Sequence, residues 1–276
     1  MGFLMSLAIA INGSAIALAE SHVTAVVDHP VLVLATTVLF MWIAAQLGRY
    51  LGKLYPLDEQ IRNDYSVLVA SAMTLLALLV GFGFSMALNR YDQRKNYEEA
   101  EANAIGTEYL RADLLPETDA TKTRNLLRAY LEQRIQFYVS TSEDNLAGIN
   151  AQTAGLQGQL WDSVLPASKS QPSPITALAV SGMNDVINTQ GYTQSAWWYR
   201  IPGTAWILMF VISLGCNVMI GYGSRRTAAS RRLLIAMPIL IAVAFRLIAD
   251  IDSPRRGLIV VSPQNLVSLA DSLRPK

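Results

Sequence analysis

The stretch 67-VLVASAMTLLALLVGFGFSMAL-88, continued by 89-NRYDQRKNYEEAEAN-103, decides the fold. Its first part has no charged side chain and is apolar around nearly the whole circumference of a helix. That is the pattern of a segment surrounded by lipid, not of one with a wet and a dry side. About 20 such residues cross a bilayer. No proline occurs between Val67 and Pro116. One helix is therefore expected to run without a break from hydrocarbon into a dense field of charge. At helical spacing Gly81, Ser85, Asn89, Asp92, Asn96, Glu99, Asn103 and Gly106 fall on one side of it, small and weakly polar at first, then acidic.

Composition agrees with a membrane protein. The chain has 276 residues, 52% of them hydrophobic and 16% charged, and its mean hydropathy is +0.29. Soluble domains carry roughly 25% charged residues. A net charge of +1 lacks the basic footprint of a nucleic-acid binder, so no nucleic-acid partner is expected. The one cysteine, Cys216, lies inside an apolar run and reads as a buried structural thiol. Two histidines, His22 and His29, are too few for most metal or catalytic sets.

Working outward, three further apolar runs match a span in length or nearly so: 31-VLVLATTVLFMWIAAQLG-48, 201-IPGTAWILMFVISLGCNVMIGYG-223 and the shorter 233-LLIAMPILIAVAFRLIA-249, which holds Pro238 and Arg246. Tyr50, Tyr55 and Tyr65 between the first two, and 197-WWYR-200 with Trp206 at the third, are amphipathic rings suited to the bilayer interface. The expected organisation is an N-terminal apolar segment over 1–30, spans one and two over 31–88, a long extramembrane helical insert over 89–200, spans three and four over 201–250, and a C-terminal turn and tail over 251–276. The fold class is all-α integral membrane. Segment 1-MGFLMSLAIAINGSAIALAE-20 is open to three readings: a signal-like leader, an uncleaved anchor, or a fifth hydrophobic segment.

Basic residues in short loops orient such proteins. Arg49, Lys53 and Arg62 flank the first short loop, and 225-RR-226 with 231-RR-232 the second, placing loops 49–65 and 223–232 in the cytoplasm and the insert outside a cell membrane. Arg90, Arg94, Lys95, Arg200, Arg255 and Arg256 on the other side read the opposite way. Within the insert, 119-DATKTRNLLRAYLEQRIQFYVS-140 has apolar residues at i, i+3/i+4 spacing with Asp119 or Thr121 as cap, and 166-PASKSQPSP-174 reads as a connector at the tip of a helical hairpin.

The runs 79-LVGFGFSMALNRYD-92, 99-EAEANAIGTEYLRADLLP-116 and 249-ADIDSPRRGLIVVSPQ-264 resemble the bestrophin-like domain family of bacterial and plant membrane proteins, over about residues 31–266. The resemblance implies four spans, a long helical insert after the second, and an aspartate–proline–glycine turn after the fourth. The family's name implies kinship to chloride channels. It supplies no catalytic residues.

Two sets of side chains are candidates for function. The first is a pore lining of Gly81, Ser85, Asn89, Asp92, Asn96 and Glu99, joined by Asn217 from a sparser line, Thr204, Ser213, Asn217 and Gly221, in the third span. Against it stands plain packing, since Gly81 and Ser85 form a small-xxx-small pair and the charges beyond could be a solvated face supported by Asp92 with Asn96 and Lys95 with Glu99. The second set governs charge selectivity or gating: Arg246, with Asp250 four residues on as a partner, and Asp252, Arg255 and Arg256 of 250-DIDSPRRG-257. A salt-bridged turn is the plainer reading of that stretch, because a calcium loop needs more oxygen ligands than it offers. No cofactor or metal site is expected, and no phosphate loop, nucleophile elbow or zinc-protease helix marks an enzyme. The expected function is a homo-oligomeric channel passing small ions; the alternative is a non-conducting scaffold or sensor whose insert binds a partner protein.

Overall fold

A computed structural model of the chain describes residues 26–170, 172–224 and 228–274. The readings of segment 1–25 and of Arg225 and Arg226 lie outside the described residues, as do the side chains of Arg231 and Arg232. The described chain is helical, with no strand among the described residues. In order it forms α1 (Pro30–Leu54), α2 (Arg62–Arg111), a 3-10 turn (Ala112–Leu114), α3 (Glu117–Val139), α4 (Glu143–Ser170), α5 (Pro174–Trp198), α6 (Gly203–Tyr222), α7 (Ala228–Asp252) and α8 (Gln264–Ser272). Among the described residues, four stretches are long and apolar enough to cross a membrane, one each in α1, α2 and α7 and one within Pro174–Tyr222. The chain divides into two compact units, one of residues 1–89 and 200–259, the other of residues 90–199 and 260–276.

In the first unit α1 packs against α6 and α7. Small residues set the α1–α6 contact. A Cβ on Gly221 would stand 2.1 Å from the carbonyl oxygen of Ala45, and one on Gly48 1.9 Å from that of Val218. Gly52 meets Tyr222 in the same way. Lipid offers no hydrophobic drive between helices, so close backbone approach and dispersion hold them. Met41 of α1 is fully buried, and the Tyr65 hydroxyl donates to the Met219 carbonyl of α6 at 2.6 Å. The Cys216 thiol is buried and faces the Ala72 carbonyl at 3.5 Å, consistent with the structural reading. On α7 the buried face is Leu234, Ile241, Ala242, Phe245, Ile248 and Ala249. Pro238 sits inside this helix without ending it, as a span permits when neighbours or local adjustment satisfy the freed carbonyl. The apolar window of α2 is the least covered of the four, with 11% buried against 33–50% in the others.

The second unit has its own core. Leu127, Tyr130, Leu131 and Phe137 of α3 interlock with Leu160 and Val164 of α4, Met183 and Val186 of α5, and Leu266 of α8. Phe137, Tyr138 and Trp197 meet edge-on with centroids 5.1–5.5 Å apart. Two local expectations are corrected. Helix α3 begins at Glu117, with Pro116 as a cap that makes no side-chain bond, so neither Asp119 nor Thr121 is the cap; Asp119 lies in the first turn, where its charge suits the helix dipole. Pro166 does not open a connector, because α4 continues through it to Ser170. Buried Val164 and Ala167 hold that last turn, and Ser168 and Ser170 donate back to the carbonyls of Leu165 and Pro166 at 2.8 Å. The stop falls later, and Ser173 with Thr176 forms a capping box that starts α5.

Candidate functional site

Helix α2 carries two polar stripes of opposite fate. Gly81, Ser85 and Asn89 in the first unit, and Asp92, Asn96 and Glu99 in the second, are all exposed. A Cβ on Gly81 would meet nothing within 4 Å among the described residues, so Gly81 makes no close helix contact there. Neither the Asp92–Asn96 nor the Lys95–Glu99 pair forms among the described residues. The stripe continues through exposed Asn103 and ends at Gly106, where a Cβ would lie 3.1 Å from Leu269 of α8.

The other face of α2 buries Gly83, Ala87, Arg94, Glu98, Glu101, Ile105 and Glu108, and buried Ala112 of the 3-10 turn follows them. The sequence assigns Glu98, Glu101 and Glu108 no role among the candidates. Their spacing of three and four residues, in register with Ala87, Ile105 and Ala112, was the available signal that they share the packed face. Each carboxylate in the second unit meets a different environment. Glu98 accepts from the backbone N–H groups of Asn265 and Leu266 at 2.9 and 3.0 Å and from the Asn265 side chain at 2.6 Å, serving as an N-terminal cap for α8 from another helix. Glu101 takes the Arg134 guanidinium in a fully buried ion pair and also accepts from the hydroxyls of Thr193 at 3.2 Å and Tyr138 at 3.4 Å. Burial works against the charge of Arg134, yet Glu101, Tyr130 and Tyr138 together hold its pKa above the ordinary value. Burial first, and the Glu101 charge second, raise the Tyr130 and Tyr138 phenols. The guanidinium also lies over the Phe137 ring, 4.4 Å from its centroid.

Glu108 differs from both. It is fully buried, and neither carboxyl oxygen has a hydrogen-bond partner among the described residues. Its pKa is pushed up to about 8, by desolvation first; Arg111 opposes this and Asp185 adds to it. The absence of a side chain at Gly182 makes its space, since a Cβ there would overlap Glu108 and Arg111.

The remaining candidates are distributed as follows. Asn217 is fully buried on the α6 face that packs against α1; its amide donates to the Ser213 carbonyl at 2.8 Å and to Met41 Sδ at 3.4 Å. With Ser213 and Gly221 also buried, this line is a helix–helix contact, separate from the exposed stripe of α2. Arg246 is half-buried and makes no ion pair among the described residues. The expected Arg246–Asp250 pair does not form, because Asp250 is engaged elsewhere. Its carboxylate accepts from the backbone N–H groups of Leu258 at 2.9 Å and Ile259 at 3.0 Å. Gly257 permits that wrap with φ +133°, and a Cβ there would stand 2.5 Å from Asp250 Oδ1. Asp252 accepts from the Ile201 N–H at 3.1 Å and pairs with Arg200, which also reaches Asp28 at 2.7 Å. Arg256 is exposed, with Nη1 2.8 Å from the His29 ring, and Arg255 is half-buried. The stretch 250–257 is thus a turn whose carboxylates are consumed by backbone amides and Arg200. No cluster of three metal-ligating side chains occurs among the described residues.

The Bestrophin-like domain matches residues 31–266. The chain belongs to that family. The bestrophin-like fold extends to solved structures. A bacterial bestrophin homolog from Klebsiella pneumoniae superposes with a TM-score of 0.59 at 13% identity, covering 89% of this chain and 99% of that one. A point-substituted form of that homolog gives 0.60 at 11% identity, covering 87% and 98%. No curated protein matches the chain. The bestrophin-like chain is therefore an all-helical membrane protein, as its sequence led one to expect.

Proposed function

We propose that this bestrophin-like protein is a homo-oligomeric channel that passes small ions along a path lined by Gly81, Ser85, Asn89, Asp92, Asn96 and Glu99. The observation that carries the reading is the exposure of this stripe along α2, whose apolar window is the least covered of the four. Polar side chains on a span are costly against acyl chains and stable beside water or another polar surface. The buried face of α2 anchors the helix in its own chain, which leaves the polar face free to meet copies of itself around an axis. Asn217 and Arg246 are not needed for this path: the first sits in the α1–α6 contact and the second stands apart from the stripe.

The test is Asn89→Leu. Ion flux into liposomes is expected to fall or change selectivity while the oligomer elutes unchanged by size-exclusion chromatography. Unaltered flux with an intact oligomer would refute the lining. A second reading, a scaffold whose insert binds a partner protein, draws on the apolar surface of the second unit, where Leu110, Ile175 and Tyr192 are more than half exposed. On that reading the stripe tolerates substitution and only changes at those side chains abolish function.

A further inference from the structure

The first unit contains an apolar groove of about 390 Å³, walled by Val33, Thr37 and Phe40 of α1, Trp206 and Phe210 of α6, and Phe245 of α7. Its shape suits a hydrocarbon chain, and one feature inside it is out of place among such walls. Trp206 is 5% exposed, it meets Phe245 edge-on at 6.0 Å, and its indole N–H has no acceptor among the described residues. A buried tryptophan N–H normally finds an acceptor, since leaving it unmade forfeits its hydration. Trp206 is one turn into α6, and Val26 and Val27, just before α1, line the same groove. There the His29 N–H donates to the Val26 carbonyl at 3.0 Å, and the His29 ring meets the exposed guanidinium of Arg256 at 2.8 Å. Arg200 nearby is neutralised by Asp28 and Asp252, whereas no carboxylate pairs with Arg256 among the described residues. The groove thus joins apolar walls to an unused N–H donor, and through Val26 and His29 it neighbours a cation. Those three features complement the acyl chain, ester carbonyl and phosphate of a glycerophospholipid.

We propose that this groove is a specific site for one anionic glycerophospholipid, with an acyl chain between Phe40, Phe210 and Phe245, its ester carbonyl accepting from Trp206 Nε1–H, and its phosphate at Arg256. The inference is independent of ion conduction. Lipid that merely coats the protein exchanges without regard to linkage or headgroup. A seated molecule distinguishes both, because the N–H reads the carbonyl and the guanidinium reads the charge.

The experiment uses the full chain, purified in detergent, stripped of lipid and titrated in native mass spectrometry. The probes are ester-linked phosphatidylglycerol, its ether-linked analogue without carbonyls, and phosphatidylcholine. The ester lipid is expected to bind about three- to tenfold more tightly than the ether analogue, the range of one net hydrogen bond. Trp206→Phe, which keeps the ring, is expected to abolish that difference. Arg256→Gln is expected to remove the preference for phosphatidylglycerol over phosphatidylcholine, and Thr36→Phe, which fills the groove, to reduce retention of all three. Equal binding of ester and ether lipids by the unsubstituted protein would overturn the proposal without any variant. So would an ester preference that survives Trp206→Phe, a headgroup preference that survives Arg256→Gln, or binding that emerges only after deletion of residues 1–20, which would make the chain's own segment the occupant.

Discussion

Replacing Glu108 by glutamine separates an ionisable buried group from its shape. Glutamine has nearly the same volume and stays neutral, so the space above Gly182 remains filled. The carboxyl has a pKa of about 8 in the folded chain against 4.5 for the unperturbed group. Below pH 4.5 both states hold the proton and stability is indifferent to pH. Between 4.5 and 8 the unfolded chain releases the proton while the folded chain keeps it. Unfolding then gains about 1.4 kcal/mol per pH unit, and stability falls as pH rises. By pH 7 the loss is about 3 kcal/mol, and above pH 8 it levels at about 5. Glu108→Gln is expected to match the unsubstituted protein at pH 5 and to exceed it at pH 8, by roughly 5–10 °C in melting temperature. The assay is a pH series of thermal unfolding in detergent, with limited proteolysis of α5 reporting on the unit that holds Glu108. Parallel curves for the two proteins between pH 5 and 8 would show that Glu108 is ionised and satisfied by Arg111, and would refute the reasoning.

Gly221→Val puts a side chain where a Cβ already stands 2.1 Å from the Ala45 carbonyl, and is expected to cost more than 3 kcal/mol or prevent folding, whereas Gly81→Ala, which meets nothing, should express and unfold normally; thermal stability in detergent compares them. Arg134→Met leaves Glu101 buried without its cation and is expected to destabilise the second unit by about 3–5 kcal/mol, most of it recovered on adding Glu101→Gln; a double-mutant cycle in denaturant reads this. Gly257→Ala combines a left-handed φ with a contact 2.5 Å from Asp250 Oδ1, so about 1–3 kcal/mol and faster hydrogen exchange at the Leu258 and Ile259 amides are expected.

Much of the architecture was legible because lipid imposes simple demands. The span in α2 declares itself by an apolar circumference, and its extension to Arg111 follows from the lack of proline. Close contacts were not legible. Gly81 with Ser85 and Gly48 with Gly52 are equally good small-xxx-small pairs on paper, yet among the described residues Gly48 and Gly52 meet a neighbour and Gly81 does not. Whether a glycine is a contact depends on what passes over it, and spacing along one helix carries no such information. Pro166 was misread for a related reason: proline's cost is real, but two buried side chains and two serine back-bonds near a helix end outweigh it. The expected Arg246–Asp250 pair failed because a carboxylate chooses among donors. Two backbone amides brought round by Gly257 are already in place, whereas a salt bridge must also order a long side chain.

The same competition explains why half of the chemistry on α2 escaped a reading that found the other half. Helical spacing put Asp92 and Glu99 on the polar stripe, but it offered no role for Glu98 and Glu101, since charged residues are rarely expected inside. What distinguishes them is partnership at a distance in sequence: Glu98 with amides 167 and 168 residues away, Glu101 with a guanidinium 33 away. Those partners exist only once α3 and α8 have folded against the helix. Asp92 and Glu99 acquire none among the described residues. The buried acids therefore fix how α2 sits in the second unit, and the exposed ones are left as the side chains whose energetics depend on something outside a single chain. That asymmetry makes substitution along Asn89, Asp92 and Glu99 an informative probe, because a change there can alter function without passing through the stability of the fold.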